Sequence, residues 1–489
     1  MGFALETAAD TASLRRVAID PLSRVEGHGK VTLLLDENDR VAQVRLHIVE
    51  FRGFEKFIQG RPYWEVPVMV QRLCGICPVS HHLAAAKAMD MIVGARLTPT
   101  AEKVRRLMHY GQILQSHALH FFHLASPDLL FGFDSEVARR NVVALAAEHP
   151  DLAKKGVLLR KYGQEVIRVT AGKRVHGTGA IPGGVNKALT AAERDTLRED
   201  SYRVIAWARE AVELARRLHE SNRALYDSFG AFRSSMLSIV APDGSLDLYD
   251  GSLRARDADG AILVDRGDCN RYWELIFEEV KPWSYMKFPF LRSLGPAEGW
   301  YKVGPLARVQ NCDRIDTPLA DAARRDFLDF GGGAPVHAPL AYHWTRMIEM
   351  LFAAELIKDL LHDDDLLGTD LVNQGEHAER GVGIIEAPRG TLIHHYRVDE
   401  NDQITRANLI VSTTHNNQAM NEAIRQVART YLDGRKLTEA LLNHIEVAIR
   451  AFDPCLSCAT HALGQMPLAV ELVDAGGVVV DRRTRDPAC

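Results

Sequence analysis

The 489-residue sequence lacks the features that mark proteins outside the ordinary globular class. Charged residues break its apolar runs well before the roughly 20 positions that a membrane-spanning helix needs, so we expect no membrane insertion. Lys and Arg number 59 against 64 Asp and Glu, and no dense basic run occurs, which argues against a nucleic-acid partner. The first 20 residues lack the apolar core of a signal peptide.

Cysteine is scarce, with seven residues, and this low, odd count argues against a disulfide framework and predicts a cytoplasmic protein. Four of the seven form two Cys-x-x-Cys pairs, Cys74/Cys77 and Cys455/Cys458. Thiolates favour soft metals such as zinc, iron in iron-sulfur clusters, copper(I) and nickel. Compact zinc modules keep their pairs close in sequence, whereas most of this chain separates the two pairs. A metal site at the centre of a large fold is therefore favoured over structural zinc, with an iron-sulfur cluster as the other alternative.

Apolar residues recur at helical spacing over much of the chain, which predicts a mainly α fold with a large multi-helix body. The predicted helices cover residues 63–73, 79–95, 100–123, 190–229, 339–361, 416–432 and 438–451, and the chain is expected to return to helix near Tyr272. Alternating runs around polar turns predict small antiparallel β hairpins or sheets at about 30–50, 238–267 and 383–412. Thr190 and Glu193 have the spacing of a capping box at a helix start.

Further motifs accompany the two cysteine pairs in a fixed order: Arg24–His28, Arg52–Glu55, Val303–Arg308 and Glu386–Gly390. Over nearly its whole length the chain resembles the large, catalytic subunit of nickel-iron hydrogenases. The segments Thr413–Asn417 and Asp453–Gln465 are most similar to the cytoplasmic, NAD-reducing bidirectional branch. The resemblance implies one hydrogenase domain over residues 1–461 and reversible cleavage of H₂ into protons and electrons. Alternatives within the family are a deazaflavin- or NADP-linked enzyme and a hydrogen sensor.

By this resemblance, the four paired cysteines hold a nickel-iron centre whose iron carries carbon monoxide and cyanide. Cys74 and Cys455 would be terminal ligands of nickel, and Cys77 and Cys458 would bridge nickel to iron. Glu26 would relay a proton outward from Cys455, a role that suits a carboxyl group whose pKa an apolar surrounding raises. Without the resemblance, Glu26 could simply end a turn.

Other polar residues match family positions around this centre. Arg389 would lie over the open metal face and anchor Asp453, although a lone arginine in a hairpin is more often part of a structural ion pair. His81 would hydrogen-bond a bridging cysteine sulfur and tune its basicity. The hydroxyl of Thr413 would contact a cyanide ligand, and Ser412 replaces a proline that is often found in the family.

The family also has a magnesium ion near the C-terminus. Its ligands would correspond to Glu55, the carbonyl of Leu409 and the imidazole of His461. Oxygen ligands suit Mg²⁺, whereas an imidazole ligand is unusual for it. Glu55 could instead pair with Arg52 or Lys56.

Residues 462–489 resemble a C-terminal propeptide that a maturation endopeptidase removes after metal-insertion factors have loaded nickel. No further cysteine cluster could carry electrons away. The resemblance therefore implies a small subunit with an iron-sulfur cluster, and diaphorase subunits that hold iron-sulfur clusters, FMN and NAD. The glycine-rich run Gly177–Gly184 does not fit Gly-x-Gly-x-x-Gly, so this chain is assigned no NAD site of its own.

Overall fold

The computed structural model describes residues 5, 7–8, 11, 13–435, 438–461, 468–473 and 479–485. Helices are the main secondary structure of the body. In chain order the α-helices are α1 Phe54–Phe57, α2 Val66–Met69, α3 Pro78–Ile92, α4 Pro99–Leu119, α5 Ser126–Phe131, α6 Val142–Glu148, α7 Pro150–Ala171, α8 Ala191–Ser221, α9 Arg223–Ser228, α10 Gly295–Glu298, α11 Pro305–Asn311, α12 Pro318–Phe330, α13 Ala341–Leu361, α14 Ser412–His415, α15 Asn417–Tyr431 and α16 Glu439–Ala451.

The strands form small sheets at the edges of this body. They are β1 Arg15–Ile19, β2 Gly29–Leu35, β3 Val41–Ile48, β4 Ala180–Ile181, β5 Gly184–Val185, β6 Ser235–Val240, β7 Ser252–Arg256, β8 Ile262–Gly267, β9 Ile276–Glu279, β10 Phe288–Leu291, β11 Tyr301–Lys302, β12 Arg380–Ala387, β13 Gly390–Val398, β14 Ile404–Ile410, β15 Leu468–Val473 and β16 Val479–Arg485. The sheets have the orders β1-β2-β3, β4-β5, β11-β6-β7-β8, β10-β9, β12-β13-β14 and β15-β16. Their pairings are antiparallel except for β11 with β6.

Long helices form the main core. Helix α4 packs against α7 and α13, and α13 also packs against α8. Nearly the whole of α13 is buried, including the polar side chains of His343, Arg346 and Glu349. Gly111 and Gly163 let α4 and α7 approach closely, because a Cβ atom at Gly163 would lie 2.6 Å from the carbonyl oxygen of Gly111.

The second core joins α3 to the sheet β12-β13-β14 and positions the cysteines. Strand β12 lies directly on α3, because a Cβ atom at Gly383 would collide with the carbonyl oxygen of Ala84. Cys77 immediately precedes α3, and Arg389 lies in the tight turn between β12 and β13. The start of the helix and the tip of the hairpin are thereby held together.

The structure confirms the mainly α fold with small antiparallel sheets. The capping box at Thr190 is present, and α8 begins at the next residue. The predicted hairpin at 30–50 gains a third strand, β1. The predicted return to helix near Tyr272 is wrong: a 3₁₀ segment, Cys269–Glu274, leads into strand β9, which pairs with β10. Helices α6 and α7 received no prediction, although α7 is 22 residues long.

Within the described ranges, we find no helix with a continuous apolar stretch that could span a bilayer. Most of the predicted propeptide, 462–489, lies outside the described residues. Within it the structure describes only the strand pair β15 and β16.

Candidate metal centre

Four cysteines from opposite ends of the chain meet in one buried group. Cys74 follows a 3₁₀ turn, Cys77 caps α3, and the Cys455–Cys458 segment follows α16. A parallel bridge between Glu26 and Cys455 ties the C-terminal segment to the N-terminal region. Each cysteine residue is at most 5% exposed.

The sulfur atoms lie close together without being bonded. The Sγ–Sγ distances are 2.9 Å for Cys455–Cys458, 3.2 Å for Cys74–Cys455, 3.7 Å for Cys77–Cys458 and 3.8 Å for Cys77–Cys455. All four lie within 4.8 Å of one another, and the cysteines are free. These distances exceed the roughly 2.05 Å of a disulfide, so the arrangement is that of a ligand set.

The buried surroundings of this group disfavour the ionisation of all its thiols at once. Burial raises the pKa of the Cys455 and Cys458 thiols well above the usual range. Hydrogen bonds from Cys455, and then from Cys458 and Cys77, lower the pKa of Cys74 well below that range. One thiolate is thus stabilised by its thiol neighbours. A bound cation would stabilise four thiolates, because metals deprotonate their thiol ligands.

Glu26 lies directly beside this group. Its Oε2 accepts hydrogen bonds from Cys455 Sγ at 3.0 Å and from the Ser457 backbone N–H at 3.1 Å. Burial, followed by the negative charge at Cys74, raises the pKa of this carboxyl group. Gly27 has a φ of 81°, and a Cβ atom there would lie 2.6 Å from the Ser457 nitrogen. The Glu26-Gly27 step therefore brings the carboxyl group against the cysteine segment.

Arg389 and Asp453 form a buried pair next to the sulfurs. Arg389 donates from Nε to the Asp453 carbonyl at 2.6 Å and from Nη2 to Oδ1 at 3.0 Å. Arg389 Nη1 is buried and has no hydrogen-bond partner among the described residues. Although burial opposes it, the charge of Asp453 and the negative charge at Cys74 raise the pKa of Arg389, which keeps the guanidinium protonated. The Nη1 amino group of this cation, with two N–H donors, is thus uncommitted beside the thiols.

A small enclosed cavity adjoins the sulfurs. It is lined by Cys77, Ser80, His81, Ala387, Pro388, Arg389, Leu392, Val411, Ser412, Thr413 and Cys455. Thr413 Oγ1 accepts a hydrogen bond from the Cys455 N–H at 2.9 Å, which leaves its own proton free to donate. Ser412 Oγ instead donates to the Gly390 carbonyl at 2.8 Å. Ser80 Oγ has no partner in the described part of the chain.

His81 lines the cavity but takes part in a different contact from the one expected. Within the described residues no hydrogen bond joins it to a cysteine sulfur. Its Nδ1 lies 3.1 Å from His394 Nε2, and His394 Nδ1 lies 2.6 Å from the Tyr396 hydroxyl. Sequence reasoning missed His394 and Tyr396, although they alternate with Leu392 on the same face of a predicted strand.

The residues proposed for magnesium surround a lysine. Glu55 Oε1 accepts from the Leu409 backbone N–H at 2.8 Å and lies 3.3 Å from Lys287 Nζ. Glu55 therefore pairs with Lys287 rather than with Arg52 or Lys56. Both imidazole nitrogens of His461 are buried without a partner among the described residues. Burial, with a smaller effect from Lys287, lowers the pKa of His461 to about 3, so its imidazole is neutral.

The chain matches two sequence-family profiles. Residues 52–138 and 265–461 match "Nickel-dependent hydrogenase", and residues 16–51 match "HoxL-like". The chain is 49% identical over 487 residues to the NAD-reducing hydrogenase HoxS subunit beta of Cupriavidus necator, covering 96% of this chain and 100% of that protein.

The chain belongs to the nickel-iron hydrogenase large subunits. A solved NAD⁺-reducing NiFe-hydrogenase in the H₂-reduced state superposes on this large subunit with a TM-score of 0.90 and 61% identity, covering 91% of this chain and 99% of that one. One component of the F420-non-reducing hydrogenase of Methanothermobacter marburgensis is 41% identical over 476 residues, covering 96% of this chain and 99% of that protein. The protein is therefore the catalytic subunit of a hydrogenase.

The four-cysteine group of this large subunit fits a nickel-iron site. It offers four soft sulfur donors in one buried pocket, together with a cavity whose wall carries uncommitted N–H and O–H groups. The magnesium region fits less fully, because it offers one carboxylate, one carbonyl and one imidazole. Mg²⁺ prefers six oxygen ligands, so waters would have to complete the shell.

Proposed function

We propose that Cys74, Cys77, Cys455 and Cys458 hold a nickel-iron centre and that the electrons released from H₂ pass through partner subunits to NAD. The convergence of four free, buried sulfurs within 4.8 Å carries this proposal. Following the family resemblance, Cys74 and Cys455 would be terminal nickel ligands, and Cys77 and Cys458 would bridge to iron. When bound, the centre supplies the redox chemistry that separates H₂ into protons and electrons.

The side chains that line the small cavity beside Cys77 would face the carbon monoxide and cyanide ligands of the iron. Its apolar wall, with Pro388, Leu392 and Val411, offers no donor to a carbon monoxide group. The uncommitted Arg389 N–H and the Thr413 hydroxyl can donate to a cyanide nitrogen. Ser412 is a weaker candidate because its proton is already donated to a carbonyl.

Glu26 is the proposed proton acceptor. It lies 3.0 Å from Cys455 Sγ, so a proton on that sulfur reaches a carboxylate oxygen in one transfer. Burial raises the pKa of the Glu26 carboxyl group toward neutral pH, which favours proton transfer in both directions. Asp453 would hold Arg389 in place by their ion pair. His81 would be held in the cavity wall by its contact with His394.

Electrons must leave through another chain, because the described residues contain no second cysteine cluster. A small subunit with an iron-sulfur cluster fits the exposed apolar surface of Phe51, Phe57 and Trp64, which are 46%, 55% and 51% exposed. Arg52 links this surface to the centre by donating to the carbonyl oxygen of Leu73, next to Cys74. Diaphorase subunits with iron-sulfur clusters, FMN and NAD would complete a cytoplasmic complex.

Two further parts of the proposal concern the C-terminal region. Glu55, the Leu409 carbonyl and His461 would hold Mg²⁺ together with water, and Lys287 would have to move away from Glu55. A maturation endopeptidase would remove residues 462–489 after metal-insertion factors load nickel. The unpartnered imidazole of His461, directly before the proposed cleavage point, supports both parts.

Hydrogen-dependent NAD reduction by the complex copurified with this subunit tests the proposal. We expect NAD reduction by the complex, and hydrogen oxidation with an artificial dye but no NAD reduction by the loaded large and small subunits alone. Reduction of only NADP or a deazaflavin would contradict the NAD assignment. Turnover far slower than in catalytic relatives would instead indicate a hydrogen sensor.

A further inference from the structure

Three arginines stand side by side across the sheet β12-β13-β14. Arg380 is in register with Arg397, and Arg397 is in register with Arg406. Residues directly opposite each other on neighbouring strands have Cβ atoms about 4.5–5.5 Å apart, and like charges there destabilise the sheet. The three arginines are solvent-exposed, and no carboxylate in the described part of the chain forms an ion pair with any of them. Repulsion within this arginine row therefore lowers the stability of the sheet, and the described residues do not offset it.

The arginine row forms part of the wall of an open cavity of about 540 Å³. Arg292 supplies a fourth guanidinium to the same cavity. The Arg380 guanidinium carbon lies 4.7 Å from the centre of the Trp273 ring, and that of Arg292 lies 4.9 Å from the Phe277 ring. Such contacts hold the planar groups in defined orientations without neutralising their charge.

The other polar groups of the cavity leave its charge positive. Glu278 is the one carboxylate that lines the described cavity, and its Oε2 is shared by Lys287 Nζ at 3.4 Å and Asn408 Nδ2 at 3.3 Å. His395 stacks on Trp273 with ring centres 5.3 Å apart. Its Nε2 is buried and has no hydrogen-bond partner among the described residues. The cavity thus combines four guanidinium groups with one carboxylate, whose Oε1 is buried without a partner among the described residues, and with an unpartnered ring nitrogen.

We propose that this cavity binds a small oligophosphate anion, of the class of inorganic pyrophosphate and nucleoside di- and triphosphates. Guanidinium groups bind phosphate oxygens in pairs through a rigid fork of N–H donors. Neighbouring strands are about 4.8 Å apart, so the row spans about 10 Å and matches a chain of phosphates better than a single one. The cavity volume is in the range of small-molecule sites, about 300–1,000 Å³, which favours this ligand over an acidic segment of a partner protein.

Calorimetric titration of the full chain with pyrophosphate tests the proposal independently of hydrogen chemistry. We expect binding at low ionic strength and an affinity at least about tenfold weaker in Arg397→Gln, because hydrogen bonds to charged groups are strong. Arg209→Gln, which changes an exposed arginine on α8, is the matched control and should bind as the wild type does. Titration with ADP distinguishes a nucleotide ligand from a free oligophosphate. ADP binding that Arg397→Gln weakens as much as it weakens pyrophosphate binding indicates a nucleotide. Binding of pyrophosphate but not of ADP indicates a free oligophosphate.

An absence of pyrophosphate binding, or binding that Arg397→Gln leaves unchanged, would overturn the proposal. If the isolated chain binds pyrophosphate but the assembled complex does not, a partner chain covers the row and the proposal also fails.

Thermal unfolding provides a second readout that a structural role would not reproduce. Without a ligand, Arg397→Gln should melt at the same or a higher temperature than the wild type, because it relieves repulsion within the row. Pyrophosphate should raise the melting temperature of the wild type but not of the variant. A lower melting temperature for the ligand-free variant would show that Arg397 makes a structural contact, and would contradict the proposal.

Discussion

The two regions proposed to hold metals differ in what already surrounds their donor atoms. In the thiol group, the nearest polar neighbours of the sulfurs are other sulfurs, the Glu26 carboxyl group and a backbone N–H group, and burial disfavours ionisation of Cys455 and Cys458. Around Glu55, the ammonium of Lys287 already lies 3.3 Å from the carboxylate. The thiol group therefore gains most from a bound cation, whereas at Glu55 a residue of the chain, Lys287, already supplies part of the opposing charge, which it shares with Glu278.

Because of this difference, we expect the loss of each metal to have different consequences. Loss of the ion from the thiol group would leave buried thiols whose protonation must change. Loss of an ion from the Glu55 region would leave an ion pair in its place. We therefore expect large functional effects from substitutions in the first region and modest stability effects from those in the second.

The largest effect is expected for Cys455→Ser. A hydroxyl is a hard, weakly acidic ligand that replaces a soft thiolate, so nickel retention and hydrogen turnover should both fall below detection. Metal content and dye-linked hydrogen oxidation of the copurified complex measure this. Cys269→Ser is the control, because Cys269 lies outside the group and donates to the Gly251 carbonyl, which a serine can also do. Full nickel content in Cys455→Ser would contradict the ligand assignment.

Glu26→Gln should separate proton transfer from metal binding. The amide keeps the shape of the side chain but cannot take a proton from Cys455, so turnover should fall about 100-fold or more while nickel content stays intact. Glu37→Gln, in the exposed turn between β2 and β3, should leave turnover unchanged. Normal turnover in Glu26→Gln would remove this carboxyl group from the proton route.

His47 lies outside both regions, and its protonation makes the stability of the fold depend on pH. Its Nδ1 donates to the Trp283 carbonyl and its Nε2 accepts from Thr32 Oγ1, and burial lowers its pKa to about 4. Because the unfolded chain protonates this imidazole near pH 6.5 and the folded chain only near pH 4, His47 alone should lower the free energy of unfolding by about 2 kcal/mol between pH 7 and pH 5. Urea unfolding at both pH values should show a smaller loss in His47→Gln, and an equal loss would contradict this assignment.

The smallest effect is expected for Glu55→Gln in magnesium-free buffer. The amide oxygen keeps the hydrogen bond from the Leu409 N–H, but the charge facing Lys287 is lost, so the free energy of unfolding should fall by about 1 kcal/mol. Added Mg²⁺ should raise the melting temperature of the wild type but not of this variant. Glu65→Gln is the exposed control. Equal protection of wild type and Glu55→Gln would place magnesium elsewhere.

The parts of the site that could be predicted from sequence are those with a fixed local pattern. Two Cys-x-x-Cys pairs indicated a metal site, and the turn at Asp36 marked the β2–β3 hairpin because its side chain accepts from the N–H groups of Asn38 and Arg40. Lys287, His394 and the arginine row were missed. Their roles depend on which strands pair and in what register, and no short sequence pattern specifies that.

Metal analysis of the complex copurified with this subunit tests the central claim most directly. If the four cysteines hold a nickel-iron centre, the wild-type complex should contain one nickel per large subunit, and Cys77→Ser or Cys458→Ser should lose it. Zinc in place of nickel, or nickel retained in both variants, would contradict the account.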